Sequence, residues 1–146
     1  MQRLWNYTFL RITKMDTQIR HTLPKKERLC GKTRISKLLN EGKHGSIPGF
    51  RYCYLIGNDV DFNRVMVSVP KKVFKRAVKR NLLKRRIRES WRLQKESLNT
   101  SCVDILFTYV TKEILDQKEI FNAVSKIIEK VNKAAANTTN SNEQTE

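Results

Sequence analysis

The sequence predicts an α/β domain, a two-layer sandwich in which a four-stranded sheet carries three helices in the order αβββαβα. Three observations predict it. Apolar residues alternate with period two in two short segments, at Phe50, Tyr52 and Tyr54 and at Val65, Val67 and Val69. Residues 103–110 are almost continuously apolar, the pattern of a strand buried on both faces. Apolar residues recur at helical spacing in three further segments, each with one stripe to bury.

The elements follow in order. Leu23-Pro24-Lys25-Lys26 opens the domain. Thr33 is expected to cap a short helix that places Ile35, Leu38 and Leu39 on one side and stops at Gly42. Gly45, Pro48 and Gly49 mark a loop, with a short edge strand near residues 43–46. A strand over 50–56 ends in the turn Gly57-Asn58-Asp59, and the Val65 strand ends at Pro70. No Gly or Pro occurs from residue 71 to residue 100, which predicts one long helix. After the strand at 103–110, Asp116 and Glu119 have capping-box spacing ahead of a stripe of Ile120, Val124, Ile127, Ile128 and Val131.

These elements define one domain over residues 22–132. Residues 133–146 have almost nothing to bury and are expected to be disordered. Residues 1–21 are polar and irregular and are expected to be a disordered extension. Within it, Met15 precedes a more ordinary beginning, so residues 1–14 are expected to be an upstream addition.

Net charge is +16, and the last thirteen residues hold Glu143 and Glu146 with no cation, so the rest carries +18. That excess favours a polyanionic partner, nucleic acid before an anionic membrane surface. No apolar run reaches the roughly 18 residues that a spanning helix needs. The N-terminus lacks a continuous apolar segment and a small-residue cleavage site, so no secretory signal is expected. Cys30, Cys53 and Cys102 are far apart and odd in number. They read as reduced cytoplasmic thiols, with Cys53 and Cys102 inside strands, and not as a zinc site. His21 and His44 lie in polar segments and build no catalytic constellation. Asp59 and Asp61 are the one pair of carboxylates within two residues of each other, and they lie in a turn, so neither a metal site nor a protein-borne nuclease centre is predicted.

The densest signal is residues 71–92, with eleven Lys or Arg and a single Glu, Glu89. On a helix Arg76, Arg80, Lys84, Arg88 and Arg92 form one row at four-residue spacing. Leu83, Ile87 and Trp91 form a second, apolar row beside it. Lys79 and Arg86 fall beyond that row, so a dockable seam is flanked by cations whose methylene stems can cover apolar surface. Solvated charged helices usually alternate sign, and a membrane-surface helix needs a wider apolar face. Asn81 interrupts the run with both donor and acceptor groups, suited to a phosphate, a ribose hydroxyl or a hydrated metal, or simply to solvent. The aromatics Phe50, Tyr52 and Tyr54 have two readings: a platform for unpaired bases, or core under a helix.

The stretch Ala77-Val78-Lys79-Arg80-Asn81-Leu82-Leu83-Lys84-Arg85-Arg86-Ile87-Arg88-Glu89, preceded by Val67-Ser68-Val69-Pro70-Lys71-Lys72, resembles the bacterial ribonuclease P protein component. Arg28-Leu29, Gly42 and the strand order resemble that family too, over about residues 22–132. The resemblance implies a left-handed βαβ crossover, a fold shared with a domain of a ribosomal protein and an exception to the usual right-handed rule. It implies an accessory protein subunit of an endoribonuclease, with no catalytic residue in the protein. Its partners are a catalytic RNA, which binds most of the Mg²⁺, and the 5′ leader of precursor tRNA; it uses no membrane and no small-molecule substrate. The RNA-binding residues are then Lys71, Lys72, Arg76, Lys79, Arg80, Asn81, Lys84, Arg85 and Arg88. The leader cleft is Ile35, Leu39, Phe50, Tyr52 and Tyr54. Three departures stand out. Leu82 replaces the last Arg of an Arg-Asn-Arg core, aliphatic Ile35 and Leu39 stand where Phe is common, and Phe74 with a one-residue insertion stands where Gly is common. A ribosomal or other structural RNA-binding protein is the alternative reading.

Overall fold

A computed structural model describes the chain from Leu23 to Glu143, with side chains to Thr138. The N-terminal extension and the choice between Met1 and Met15 lie outside these residues. The elements are α1 (Lys32–Glu41), β1 (Lys43–Ile47), β2 (Phe50–Ile56), β3 (Arg64–Ser68), α2 (Ala77–Gln94), β4 (Val103–Tyr109) and α3 (Gln117–Glu143). Short 3-10 turns occupy Lys25–Glu27 and Lys95–Ser97. The element order is the one that periodicity predicts.

The sheet has the order β1-β2-β4-β3. β1 pairs with β2, and β2 with β4, antiparallel; β3 and β4 are parallel neighbours joined through α2. Strand pairing sorts the side chains. Phe50, Tyr52 and Tyr54 lie opposite Tyr109, Phe107 and Ile105, and Val65 and Val67 share that face. Against it pack Leu83, Ile87 and Trp91 of α2 and the whole predicted α3 stripe, giving the main core. Trp91 meets Phe107 at 5.7 Å between ring centroids. The opposite face carries a smaller cluster, Leu29, Leu38, Cys53 and Leu106, under α1.

The capping box at α3 forms as predicted. The Glu119 backbone N–H donates to Asp116 Oδ1 at 2.8 Å, and the Asp116 backbone N–H donates to Glu119 Oε2 at 3.0 Å. Several boundaries differ from the sequence reading. Gly31, at φ 98°, caps α1, and Thr33 lies inside the helix without capping it. Gly42 does end α1, but by fit: a Cβ there would stand 2.3 Å from the Leu38 carbonyl oxygen and 2.7 Å from Cys53 Sγ. Cys53 is in β2, whereas Cys102 sits just ahead of β4 at φ 63°, where its carbonyl accepts from the N–H groups of Gly57 and Asn58. All three thiols are free. The last helix continues to Glu143, past the expected end of order at residue 132. Adding residues to an anchored helix is far easier than starting one, and Ala134, Ala135 and Ala136 are the best helix formers.

Candidate nucleic-acid interface

The basic segment does not enter its helix at once. Val73 and Phe74 donate backbone bonds to the Pro70 carbonyl, closing a turn. Phe74 is buried in that turn, its ring 5.8 Å from Tyr109. Burial of this one aromatic holds residues 71–76 out of the helix, and α2 begins at Ala77 with Arg76 at the cap. The long helix predicted from residue 71 is therefore shorter at that end, and Lys71, Lys72, Lys75 and Arg76 are exposed on the approach to it.

Arg80 bridges the turn and the helix. Its Nη1 donates to the carbonyl oxygens of Phe74 at 2.8 Å and Lys75 at 2.7 Å. The next turns divide cleanly. Leu83, Ile87 and Trp91 enter the core, while Lys79, Asn81, Leu82, Arg85 and Arg88 are exposed. Lys84 is half-buried. Arg86 is occupied elsewhere, donating to the Leu115 carbonyl at 2.6 Å. Arg92 is paired with Glu89 through two hydrogen bonds. Buried Ser90 and Gln94 lock α2 against α3: Gln117 Nε2 donates to Ser90 Oγ at 2.9 Å, and Gln94 Nε2 donates to the Phe121 carbonyl at 3.0 Å. The outward face is thus cationic and rigidly backed.

Asn81, Arg85 and Arg88 also line an open depression with Leu23, Arg28, Glu89 and Arg92. Sequence reasoning did not place Arg28 in the site. Its position depends on a parallel bridge to Val65 beside the edge strand β3, a long-range pairing with no local signal. An ion pair between Lys95 and Glu27, at 2.9 Å, fastens the same N-terminal segment to the end of α2.

The five residues expected in a leader cleft fall on opposite faces of the sheet. Phe50, Tyr52 and Tyr54 are buried in the main core, where Phe50 meets Tyr109 edge-on at 5.3 Å and Tyr52 stacks on Tyr54 at 6.2 Å. Period-two geometry turns them toward α2 and α3, so they are not a platform for bases. Ile35 and Leu39 lie on α1 over the other face, Ile35 half-buried and Leu39 44 % exposed. Ile35 packs there on the cluster of Leu38, Cys53 and Leu106, beside Leu55 and Met66. Burial pushes the Cys53 thiol up in pKa, and it donates to the Leu38 carbonyl at 3.3 Å.

At one end of this face, buried Arg64 donates through Nε and Nη2 to both carboxylate oxygens of Asp104, each at 2.7 Å. Asn58 adds a bond to Asp104 Oδ1 at 2.9 Å, and Arg64 also holds Asp59. Among the described residues no group of three or more His, Cys, Asp or Glu side chains is placed to hold a metal ion. Nor is any described helix long and apolar enough to cross a membrane.

The comparisons decide the family. A family model described as Ribonuclease P matches residues 23–132. The chain belongs to the ribonuclease P protein family. The ribonuclease P protein component of Porphyromonas gingivalis is 37% identical over 112 residues, covering 71% of this chain and 82% of that protein. Among solved structures, the RNase P protein from Thermotoga maritima aligns with TM-score 0.63 at 25% identity, over 71% of this chain and 96% of that one. The Staphylococcus aureus RNase P protein aligns with TM-score 0.63 at 23% identity, over 70% of this chain and 93% of that one, a likeness of fold. Of the residues that the resemblance assigns to RNA, Lys71, Lys72, Arg76, Lys79, Asn81, Arg85 and Arg88 are exposed, and Arg80 and Lys84 are half-buried.

Proposed function

We propose that this chain is the protein subunit of a cytoplasmic ribonuclease P ribonucleoprotein. It binds the catalytic RNA through the cationic turn and α2, and it holds the 5′ leader of precursor tRNA while the leader is cut away. The observation that carries the reading is the outward face of α2, where Lys79, Asn81, Arg85 and Arg88 stand exposed on a helix whose apolar seam is fully buried. Like charges held this close repel one another, and neutralisation by phosphates relieves the repulsion and releases counterions.

The leader passes over the sheet face beside Ile35 and Leu39, which stays partly open, and not over the buried Phe50, Tyr52 and Tyr54. Mg²⁺ is bound mainly by the RNA subunit. The three thiols suit a reducing compartment.

The test is reconstitution. The protein is added to the ribonuclease P RNA of its own source at low Mg²⁺, and cleavage of precursor tRNA is followed. The expected result is cleavage at Mg²⁺ concentrations where the RNA alone is inactive. No stimulation overturns the reading, and cleavage by RNA-free protein overturns the assignment of the catalytic centre to RNA.

A further inference from the structure

The open half of the α1-side sheet face carries a row that the motif reading does not use. Ser46 on β1 lies opposite Arg51 on β2, Arg51 opposite Thr108 on β4, and Thr108 opposite Ser68 on β3. One polar residue thus comes from each of the four strands, in their spatial order. With strands about 4.8 Å apart, the row spans about 14 Å of sheet. All four side chains share the face of Cys53 and Leu106, because each lies two positions along its strand from that cluster's row. Ser46 and Arg51 are exposed, and Thr108 and Ser68 are half-buried.

Two properties single the row out. Among the described residues the Arg51 side chain has no hydrogen bond or ion pair, and the three hydroxyls have none either. An unpaired guanidinium over a sheet, flanked by free hydroxyls, suits phosphate oxygens, which accept charge-assisted and neutral hydrogen bonds side by side. The row also runs toward more cations. β3 ends at Ser68, and the turn after Pro70 presents Lys71 and Lys72 on the way to α2. At the other end of the same face the charges are already satisfied, in the buried Arg64–Asp104 pair.

We propose that Ser46, Arg51, Thr108 and Ser68 bind the phosphate backbone of an extended, unpaired RNA strand, with Arg51 as the charged anchor. This inference rests on the reading that the precursor leader crosses this face, and it adds how the leader is held. Aliphatic Ile35 and Leu39 offer little stacking, so grip on the leader comes chiefly from backbone electrostatics and depends strongly on salt.

The test uses the reconstituted holoenzyme with Arg51→Gln and Arg51→Lys, against precursor tRNA with a short leader and against mature tRNA. Arg51→Gln is expected to weaken leader-bearing RNA by about tenfold and to leave mature tRNA unchanged. Its salt slope for the leader-bearing RNA falls by about 0.7, one phosphate's share on a single strand. Arg51→Lys recovers part of the loss. A neutral methylphosphonate at the contacted leader position reproduces the loss in wild type and adds nothing in Arg51→Gln. The unfolding midpoint stays unchanged, because Arg51 is exposed. If wild type prefers the leader-bearing RNA and Arg51→Gln prefers it equally, this inference alone is overturned. Equal loss on both RNAs also overturns it, placing Arg51 against the RNA subunit or the fold. A wild type that does not distinguish the two RNAs overturns the leader reading and this inference with it.

Discussion

The guanidinium of Arg80 reaches back over the start of α2 and donates to the carbonyl oxygen of Phe74 at 2.8 Å. Phe74 is the aromatic that anchors the preceding turn in the core, so Arg80 ties the cationic approach to the helix. Composition alone makes Arg80 and Lys84 equivalent members of one row; the structure separates them. Arg80→Ala is expected to lower stability by about 1–3 kcal/mol, through loss of two hydrogen bonds from a charged donor, and to weaken RNA binding as well. Lys84→Ala is expected to stay within about 0.5 kcal/mol of wild type while its salt slope for RNA falls by about 0.7–0.9. Denaturant melts and a salt titration of RNA affinity measure both. Equal stability of the two variants would sink the distinction.

Gly42 is required by contact. A Cβ would meet the Leu38 carbonyl oxygen, Cys53 Sγ and, at 3.0 Å, the Tyr54 carbonyl oxygen. Two of these are backbone atoms and cannot swing aside. Gly42→Ala is expected to lower stability by about 1–3 kcal/mol, and Cys53→Ala is not expected to rescue it. A rescue in the double variant would show that the thiol alone sets the limit.

Much of this was legible from residues alone, for a physical reason. Periodicity encodes which side of an element is buried, so the α2 seam and the α3 stripe could be read residue by residue. What periodicity lacks is which face of the sheet each helix covers. The strand alternation grouped Phe50, Tyr52 and Tyr54 correctly but could not tell that α2 and α3 lie over them, with α1 on the other side. The late start of α2 was equally hidden, because it depends on Phe74 meeting Tyr109 from a distant strand. Arg28 and the row through Arg51 depend on pairings between distant segments, and no local spacing announces them.

Asp59 gives the acid limb of stability a local origin. Its own backbone N–H first, with the Arg64 and Arg34 cations adding to it, holds its carboxyl below the usual carboxylate range, against desolvation, which pushes the other way. A carboxyl with a lowered folded pKa stabilises fully above its unfolded value of about 3.9 and loses that contribution as pH falls through the folded value. Asp59→Asn removes the effect. Wild type is expected to be the more stable at pH ~6, and the two curves to converge toward pH ~2, in melts across that window. A constant gap throughout would mean that the carboxylate charge is not what matters.

Leu39 and Tyr54 offer the sharpest contrast between the two sheet faces. Leu39 is 44 % exposed on α1 beside the open face, whereas Tyr54 is buried against Tyr52 in the core. Leu39→Phe adds an aromatic surface where a leader base can stack, at an exposed site. It is expected to tighten holoenzyme binding of leader-bearing precursor by up to about 1–3 kcal/mol, with mature tRNA unchanged. Tyr54→Leu is expected to lower stability by about 1–3 kcal/mol through lost core packing and to leave leader preference as it was. Competition binding with the two RNAs, alongside melts of each variant, separates the effects. A leader preference that follows Tyr54 and ignores Leu39 would mean that the leader lies on the α2 side of the sheet, against the burial of all three aromatics there.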